Sequence, residues 1–236
     1  MCEFRFSPET AWDLTIPGLL YEKIREKLPL KEERVLQETQ ISEGPAGEAL
    51  QEVSVNKILV FLSEDRQCFA QIGDRRLTIH TVKPYITWTN FKPVIAHVFS
   101  ALVGLLTESH IRRIGLRYVN RIEIPGNHVE LIDYFNFGLR IGKTLTPREI
   151  TEFIAGSVFP FADRRDACRV QTGLALPKVK DISAFLLDLD YFLRVPDSIQ
   201  TNQVMDWIEN AHTTIEEIFE GCITDHLREI FQEIKE

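Results

Sequence analysis

Three observations in the amino-acid sequence predict an α+β protein with a mostly antiparallel, curved sheet that carries its helices on one side. Several short segments alternate apolar and polar residues with a period of two, which is typical of half-buried strands. Short turns join many of these segments, and strands joined by short turns pair antiparallel. A few longer segments carry apolar residues at every third or fourth position, the pattern of a helix that packs with one face.

Five segments of the N-terminal half predict strands. The first contains Cys2, Phe4 and Phe6, which alternate with polar residues. Turn residues such as those at 73–74 separate the later segments, so we expect a meander of antiparallel strands. A loop is expected at Glu43–Glu48, because glycine and proline cluster there. The other four strands are predicted at Val35–Ile41, Ile58–Leu62, Cys68–Ile72 and Leu77–Thr81.

Two helices are predicted in the same half. The first spans roughly 16–27, because Thr15 can cap it and Pro17 fits its first turn. The second is expected to begin at Asn90 as the capping residue, with Pro93 in its first turn. The second helix has the more continuous apolar face and is therefore expected to be the less exposed of the two. That face consists of Phe91, Ile95, Val98, Phe99, Leu102 and Leu106.

The C-terminal half repeats this order of elements. A long strand is predicted at Ile111–Ile124, and a weak helical segment follows at Leu131–Phe135. The segment Thr146–Glu149 matches a capping box with proline at the first helical position and predicts a short helix. Thr201 can cap a long last helix. The short helix would continue through Ile150, Phe153 and Ile154, and two further strands are predicted at Cys168–Leu176 and Ala184–Leu193.

The order of elements divides the chain into two similar halves, 1–108 and 109–236, which we expect to form one compact unit. Two halves that each run strand, helix, strands, helix can join their sheets, as in TATA-binding-protein-like folds. A helix-grip-like fold, in which a long C-terminal helix packs against a bent sheet, is the alternative.

Three segments together resemble one protein family: Trp12–Tyr21, Ile114–Ile122 and Ile223–Arg228. Over nearly its whole length the chain resembles a sporadically distributed prokaryotic family of uncharacterised proteins of similar size. The resemblance implies no activity, because the family has none assigned. Its sporadic distribution implies horizontal transfer, as in mobile-element or defence neighbourhoods. Members of that family typically have a further segment before the first strand, whereas this chain begins inside it.

Composition and motifs argue against several functional classes. No apolar run approaches the ~20 residues that cross a membrane, and the first residues lack the basic and apolar regions of a signal peptide. We therefore expect a cytoplasmic protein with no membrane partner. The four cysteines share no CxxC spacing, so reduced thiols are expected rather than disulfides or a zinc site. Because no histidine motif and no glycine-rich phosphate loop occurs, we predict no cofactor and no catalytic residue.

The formal net charge of −8 is concentrated at one end of the chain. Residues 206–236 contain nine acidic and two basic residues, a net charge of −7. The rest of the chain holds 26 acidic and 25 basic residues, a net charge of −1. The C-terminal segment therefore repels polyanions, whereas the rest of the chain can carry a locally basic face.

The arginines on the long strand at Ile111–Ile124 form the strongest candidate for a binding site. Arg113, Arg117 and Arg121 share one strand face, and Gly115 lies between the first two. A guanidinium donates two parallel hydrogen bonds to a phosphate or a carboxylate, so this face is a candidate anion or nucleic-acid site. The glycine would leave room for a ligand to approach the backbone. Further donors expected nearby are Arg112, His110 and Asn120.

The same arginines can instead pair with acidic side chains on a neighbouring strand. Asp188 and Asp190 share one face of the predicted strand Ala184–Leu193. An acidic ladder beside an arginine ladder would form cross-strand ion pairs and neutralise both. The two aspartates also have the spacing of a weak Mg²⁺ site, although no third ligand is evident. The sequence leaves these alternatives open.

The last helix carries a continuous apolar stripe. It can pack on the protein's own sheet, or it can dock a protein partner or a second copy of the chain. The acidic outer face of the helix would suit a basic partner. The stripe consists of Val204, Ile208, Ala211, Ile215 and Ile218.

Three hypotheses of different classes follow. The first is an intracellular binding or adaptor protein that acts with a protein partner. The second is a nucleic-acid or nucleotide binder that uses the arginine face, or a metal-independent RNase if His110, Tyr118 and Arg117 form a composite site. The third is a metal-dependent enzyme at Asp188 and Asp190.

Overall fold

The computed structural model describes residues 1–43, 49–126, 129–138 and 151–231. It shows the α+β fold with antiparallel strand pairing that the sequence predicts. The chain divides into two compact units, Met1–Arg112 and Arg113–Glu236. In the described segments, no helix is long and apolar enough to cross a membrane.

The N-terminal unit combines a meander of strands with two helices. Its elements are β1 (Cys2–Phe6), α1 (Ile16–Ile24), β2 (Leu30–Glu43), β3 (Ala49–Leu62), β4 (Cys68–Gly73), β5 (Arg76–Thr81) and α2 (Trp88–Val103). The strand order in this unit is β2-β3-β4-β5-β1. The first strand of the chain therefore pairs with the fifth, and Phe4 lies opposite Leu77.

Apolar residues from both helices and from alternate strand positions form the core of this unit. Phe4 of β1 stacks on Phe99 of α2 with ring centroids 4.5 Å apart. Leu20 and Ile24 of α1 and Ile95 of α2 are fully buried. Because each such side chain contributes about 1.5–3 kcal/mol on burial, packing stabilises these short helices more than intrinsic helix propensity does.

Helix α1 begins at Ile16 with Pro17 in its first turn, as predicted, but the side-chain cap predicted at Thr15 was wrong, and α2 begins earlier than the predicted cap at Asn90. Thr15 makes no side-chain cap, and instead the Asp13 carboxylate accepts from the Thr15 backbone N–H at 2.7 Å and from its hydroxyl at 2.5 Å. Helix α2 begins before Asn90, whose side-chain amide donates to the Thr87 hydroxyl at 3.0 Å. Pro93 therefore lies inside the helix rather than in its first turn. Short polar side chains upstream of each helix compete for the same backbone groups, and spacing alone does not decide between them.

His80 of β5 is held in an environment that favours its neutral imidazole. Its ring stacks on Phe69 of β4 with centroids 4.6 Å apart, and its Nε2 lies 3.0 Å from the Thr78 hydroxyl. Burial, followed by the effect of nearby positive charges, Arg76 among them, lowers the pKa of His80 to about 4. The buried Glu3 pairs with Arg76 at 2.8 Å and offsets only part of this shift.

The C-terminal unit combines a second antiparallel set of strands with three helices in its described segments. Its elements are β6 (Ile111–Pro125), α3 (Leu131–Tyr134), β7 (Ile154–Phe161), β8 (Asp166–Ala175), β9 (Ile182–Leu193), α4 (Val204–Cys222) and α5 (Asp225–Ile230). The strand order in this unit is β6-β9-β8-β7. Short 3₁₀ turns precede β8 and α4.

One strand of this unit was not predicted, and the helix predicted in its place was wrong at its C-terminal end. Phe153 is in an irregular segment, and Ile154 begins β7. The strand forms because its residues pair with β8, with Val158 opposite Arg169, and no local signal encodes such a distant partner. The predicted capping box at Thr146–Glu149, Ile150 and most of the predicted loop at Glu43–Glu48 lie outside the described residues.

The last helix begins later than the cap predicted at Thr201 implies. Thr201 lies within the 3₁₀ turn, and Gln200 caps that turn through reciprocal hydrogen bonds with Gln203. Helix α4 ends at Cys222, and Thr224 then caps the separate helix α5 by accepting from the Leu227 backbone N–H at 3.2 Å. The predicted apolar stripe from Val204 to Ile218 lies wholly within α4.

A buried carboxylate joins α4 to the sheet of the C-terminal unit. Asp166, at the start of β8, is 1% exposed and accepts from the Trp207 indole N–H at 3.1 Å. It also accepts from Arg165 at 2.7 Å and from the Tyr191 hydroxyl at 3.4 Å. Burial, with the nearby charge of Asp166 second, raises the pKa of Tyr191 well above its usual range. Four consecutive charged residues, 163–166, are typical of a solvated turn, yet Asp166 is a packed hydrogen-bond acceptor.

The depressed pKa of His80 makes the stability of the N-terminal unit depend on pH. Unfolded chains bind a proton at this imidazole below pH ~6.5, whereas the folded protein does so only near pH 4. The stabilising contribution is therefore full above pH ~6.5 and is lost as the pH falls towards 4, by about 1–3 kcal/mol. NMR titration of the His80 ring protons should give a pKa near 4, and His80→Gln should flatten the pH dependence of unfolding. A pKa near 6.5 would contradict this account.

Replacing the buried carboxylate tests how α4 is anchored. Asp166→Asn removes the ion pair with Arg165 and can place an amide donor against the donors of Arg165 and Trp207, so we expect a loss of about 2–4 kcal/mol in unfolding free energy. Urea denaturation measures this loss. Asp163→Asn, at an exposed position in the preceding turn, is the matched control and should change stability by less than about 0.5 kcal/mol. Equal losses for the two variants would contradict the assigned role.

Candidate functional site

Strand β6 separates its side chains onto two faces, as the period-two pattern predicts. Residues at even positions from Ile114 to Ile124 point mainly to the core, and the four aliphatic ones are at most 2% exposed. Residues at odd positions are on the opposite face and include the three arginines predicted as a site. The aliphatic residues at the even positions are Ile114, Leu116, Ile122 and Ile124.

The register of β6 against β9 brings two of the arginines to the acidic pair. Arg117 lies opposite Asp190, and Val119 lies opposite Asp188. Arg117 forms a bidentate pair with Asp188, with Nε–Oδ1 at 2.8 Å and Nη2–Oδ2 at 2.5 Å. Arg113 reaches along the sheet to Asp190, with Nη2–Oδ2 at 3.0 Å. The two strands therefore form the cross-strand acid–arginine arrangement that was one of the two sequence interpretations.

Gly115 makes room for an arginine of the protein itself. A Cβ at this position would lie 2.5 Å from Nη1 of Arg113 and 3.1 Å from its Cζ. The guanidinium passes over the glycine to reach Asp190, and its Cζ lies 5.0 Å from the centroid of the Phe192 ring. The sequence interpretation gave this space to a ligand, and the structure fills it with Arg113.

Strand β8 adds a further arginine to the same surface. Arg169 lies opposite Asp190 on the side of β9 away from β6 and is exposed. Its Cζ lies 6.0 Å from the Phe192 ring, so two guanidinium groups flank one aromatic ring. We call the surface formed by Arg113, Arg117, Val119, Arg169, Asp188, Asp190 and Phe192 the Arg–Asp face.

The third arginine of β6 lies beside different partners. Arg121 pairs with Glu123 at 2.9 Å and donates to the backbone oxygen of Leu176 at 2.6 Å. These bonds tie the end of β6 to the chain that follows β8, so Arg121 is a structural residue at the border of the Arg–Asp face.

The other three predicted donors do not lie on the Arg–Asp face. Asn120 is on the opposite face of β6, where its amide donates to the backbone oxygen of Leu187 at 3.3 Å. Arg112 is next to Arg113 in β6, so its side chain points to the opposite face, and His110 precedes the strand. The backbone N–H of His110 donates to the Thr10 hydroxyl at 3.2 Å. The sequence grouped these residues by proximity along the chain, but strand alternation directs Asn120 away from the arginines.

The structure does not assemble the composite RNase site proposed from Tyr118 and Arg117. These two residues point to opposite faces of β6, because they are adjacent in the strand. The Tyr118 hydroxyl lies 3.0 Å from Nδ1 of His212 on α4, and Nε2 of His212 lies 3.3 Å from Glu216. Tyr118 therefore contacts the helix, away from the Arg–Asp face.

The two aspartates are poor candidates for a metal site, since an arginine is bonded to each of them. A metal ion would have to displace a guanidinium from its carboxylate before it could bind. In the described parts of the chain, no group of three or more His, Cys, Asp or Glu side chains could hold a metal ion.

The four thiols are unsuited to nucleophilic chemistry. All four cysteines are free and buried. Burial raises the pKa of Cys2 and Cys168 to about 12 and that of Cys68 and Cys222 to about 11. Because the thiolate is the reactive form, almost none of it is present at neutral pH.

The predicted partner-binding stripe of α4 lies largely in the core of its own unit. Val204, Ile208, Ala211 and Ile215 are at most 1% exposed, and α4 packs against β9. Ile218 is half-buried. In this conformation the stripe stabilises the unit and is not accessible to a partner.

A mostly apolar cavity of about 300 Å³ lies near α3 in the C-terminal unit. This volume is at the lower end of the range for small-molecule sites. Its described lining contains no charged side chain and so offers no acid, base or ion-pairing group for catalysis. It is lined by Leu131, Ile132, Phe135, Asn136, Phe137, Gly138, Phe153 and Thr172.

Comparison with known proteins gives no relative from which a function can be transferred. No protein-family model matches the chain, and neither a curated protein nor a solved structure matches it significantly. The resemblance to a family of uncharacterised prokaryotic proteins therefore stays a prediction, as does the similarity between the two halves.

The position of Arg113 over Gly115 predicts a specific coupling between the two residues. Alanine normally stabilises a strand relative to glycine, yet Gly115→Ala should lower the unfolding free energy by about 1 kcal/mol, because its Cβ displaces Arg113 from Asp190. In an Arg113→Ala background this loss should disappear, which a double-mutant cycle by urea denaturation measures. The same loss in both backgrounds would show that the glycine has another role.

Proposed function

We propose that this chain is a protein-binding module or adaptor, and that the Arg–Asp face is its partner-binding surface. The observation that carries the proposal is the mixture of groups that this face presents. Arg117 and Val119 are each 43% exposed, Arg169 is exposed, and Phe192 is half-buried beside them. The proposed partner is a protein whose surface offers an apolar side chain bordered by carboxylates and hydrogen-bond acceptors.

The charge balance of the face favours such a partner over a polyanion. The three guanidinium groups of Arg113, Arg117 and Arg169 surround the two carboxylates of Asp188 and Asp190, so the excess positive charge is small. A phosphate that approached Arg117 would meet the Asp188 carboxylate at hydrogen-bond distance from the same guanidinium. A protein surface can instead pair with both signs of charge, which gives specificity rather than non-specific attraction.

The residue types of the face also match those of protein interfaces. Arginine and aromatic residues are enriched in interface cores, where they combine apolar contact with hydrogen bonding. Val119 and Phe192 supply apolar area, and the paired Arg117 is already oriented by Asp188. An arginine that is held in place loses less conformational entropy on binding.

We also infer a cytoplasmic location for the protein. Its cysteines are all free, which fits a reducing compartment, where disulfides are rare.

Nucleic-acid binding is a second candidate function, favoured by the exposed Arg117 and Arg169 on one face. Binding of this type would depend steeply on salt, because phosphate contacts release counterions. Fluorescence anisotropy with single-stranded RNA and double-stranded DNA at low salt tests it. Salt-sensitive binding that Arg117→Ala weakens would favour this function over protein binding.

Site-directed photo-crosslinking tests the protein-binding proposal. A photo-reactive amino acid at position 119 should capture a specific protein in cells, whereas the same group at position 179 should not, because Val179 is 60% exposed but lies off the sheet. Mass spectrometry identifies the captured species. The double substitution Arg117→Asp with Asp188→Arg keeps an ion pair in the fold but exchanges the charges, so it should abolish capture while changing stability by less than about 1 kcal/mol.

Three outcomes of this experiment would contradict the proposal. The first is an identical set of captured proteins at positions 119 and 179. The second is unchanged capture by the charge-exchanged variant, since the proposed partner is expected to contact both charges in their native positions. The third is nucleic acid as the cross-linked species, which would support the second candidate function.

A further inference from the structure

The outer strand of the C-terminal sheet, β7, has an unusual composition for an edge strand. Its eight residues, Ile154–Phe161, contain no charged side chain. Strand β8 pairs with one of its edges, and within the described segments no strand pairs with the other. Ile154 is 69% exposed and Val158 is 50% exposed.

Edge strands of soluble proteins normally carry features that prevent pairing with another chain. Charged residues and prolines are the commonest of these, because an unpaired edge is a template for a further strand. In the N-terminal unit the outer strand β2 has four consecutive charged residues, 31–34. In β7 the only such feature is Pro160, near the end of the strand.

The hydrogen-bond pattern shows which backbone groups of β7 point outward. The Leu174 N–H donates to the Phe153 oxygen at 3.4 Å, which makes these residues a hydrogen-bonded pair between the two chain segments. In an antiparallel ladder such pairs alternate, so residues at odd positions of β7 bond to β8. Ile154, Gly156 and Val158 therefore direct their N–H and C=O groups to the outer edge. Pro160 shares this direction but has no N–H to offer.

This outer edge is complementary to itself. A two-fold axis at Gly156 would place Ile154 of one copy opposite Val158 of the other and each Gly156 opposite its counterpart. In that antiparallel register, every outward N–H of residues 154, 156 and 158 meets an outward C=O of the second copy. Pro160 would fall opposite Glu152 of the second copy, so the ladder ends where its donors end.

The side chains fit the same register. Ile154 and Val158 point to the same strand face, and the two-fold axis would bring them together as two apolar cross-strand pairs. The chain carries a net charge of −8, but this strand carries none, so the pairing places no like charges directly opposite one another. A partner selected by charge would find no charged side chain on this strand.

We infer that two copies of this chain associate through β7, antiparallel about Gly156, and form a continuous sheet across a two-fold axis. The strand β7 contributes none of the residues that define the Arg–Asp face, although Val158 lies opposite Arg169 of that face. The inference rests on the outward backbone groups of β7, so it does not depend on the proposed partner binding. Symmetric pairing of one patch with itself gives a closed dimer rather than a filament.

Sedimentation velocity on the full chain, at about 1 to about 100 μM protein, tests the dimer. We expect a concentration-dependent monomer–dimer equilibrium, because a single strand pair is a small interface. Ile154→Lys and Val158→Glu should each weaken dimerisation at least tenfold. Both positions are exposed, so both variants should keep the far-UV circular dichroism and melting temperature of the native protein. Val179→Lys, at an exposed position off the strands, is the matched control and should dimerise like the native protein.

A combination of the two substitutions tests the register itself. In a chain with both Ile154→Lys and Val158→Glu, the new lysine of each copy would face the new glutamate of the other, and dimerisation should return towards the native value. A protein that stays monomeric throughout the concentration range would overturn the inference. A dimer that either single variant leaves intact, or a double variant no better than the single ones, would overturn it as well. Arg117 substitutions test the partner-binding face separately, so failure of one proposal can be distinguished from failure of the other.

Discussion

The register of β6 against β9 is the constraint on which the C-terminal unit depends. Pairing Leu116 with Tyr191 and Tyr118 with Leu189 keeps the apolar set of each strand on the core side. A slip of β6 by one residue would turn its apolar side chains to solvent and carry Arg113 and Arg117 into the core. Burying these two guanidinium groups without their partners costs several kcal/mol for each. The core therefore fixes the register, and the register in turn fixes which arginine meets which aspartate.

The free energies of apolar burial and of ion pairing show which interactions stabilise this sheet and which mainly orient the side chains on its exposed face. Each aliphatic side chain buried on the core face contributes about 1.5–3 kcal/mol. A partly exposed ion pair such as that of Arg117 with Asp188 contributes about 0–1 kcal/mol. The ladder of charges is therefore not what holds the sheet together. It orients guanidinium groups on strands whose register the core fixes, and such preorganised side chains would suit the proposed binding surface.

The sequence predicted the features that follow from strand periodicity. The alternation of Arg113, Arg117 and Arg121 with aliphatic residues fixed the face of β6, and the spacing of Asp188 and Asp190 identified a partner strand. Periodicity could not choose between an open anion site and paired charges, because that choice depends on which strands are neighbours. Gly115 was interpreted from the sequence as space for a ligand. A sequence does not show that the Arg113 side chain extends along its own strand and covers this glycine.

The features that could not be predicted from the sequence depend on contacts between distant parts of the chain. The strand β7 contains Ala155, Gly156 and Ser157, which have weak strand propensity, and it becomes a strand because β8 lies beside it. Asp166 is in a stretch of four charged residues that resembles a surface turn. Its carboxylate is buried because Trp207, 41 residues later in the chain, brings an indole N–H to it. A local pattern can identify neither feature.

The open edge at β7 and the Arg–Asp face have a joint consequence, because both belong to the same four strands. Pairing two copies at β7 would extend one sheet into the other and place two Arg–Asp faces on a single assembly. A partner that itself carries two matching surfaces would then bind the second one intramolecularly, at an effective concentration in the millimolar range for short spans. Individually weak contacts of partly compensated charges would gain affinity in this way without any change in either face. In the proposed dimer, charge compensation would limit non-specific attraction, and binding at two symmetric sites would raise the affinity.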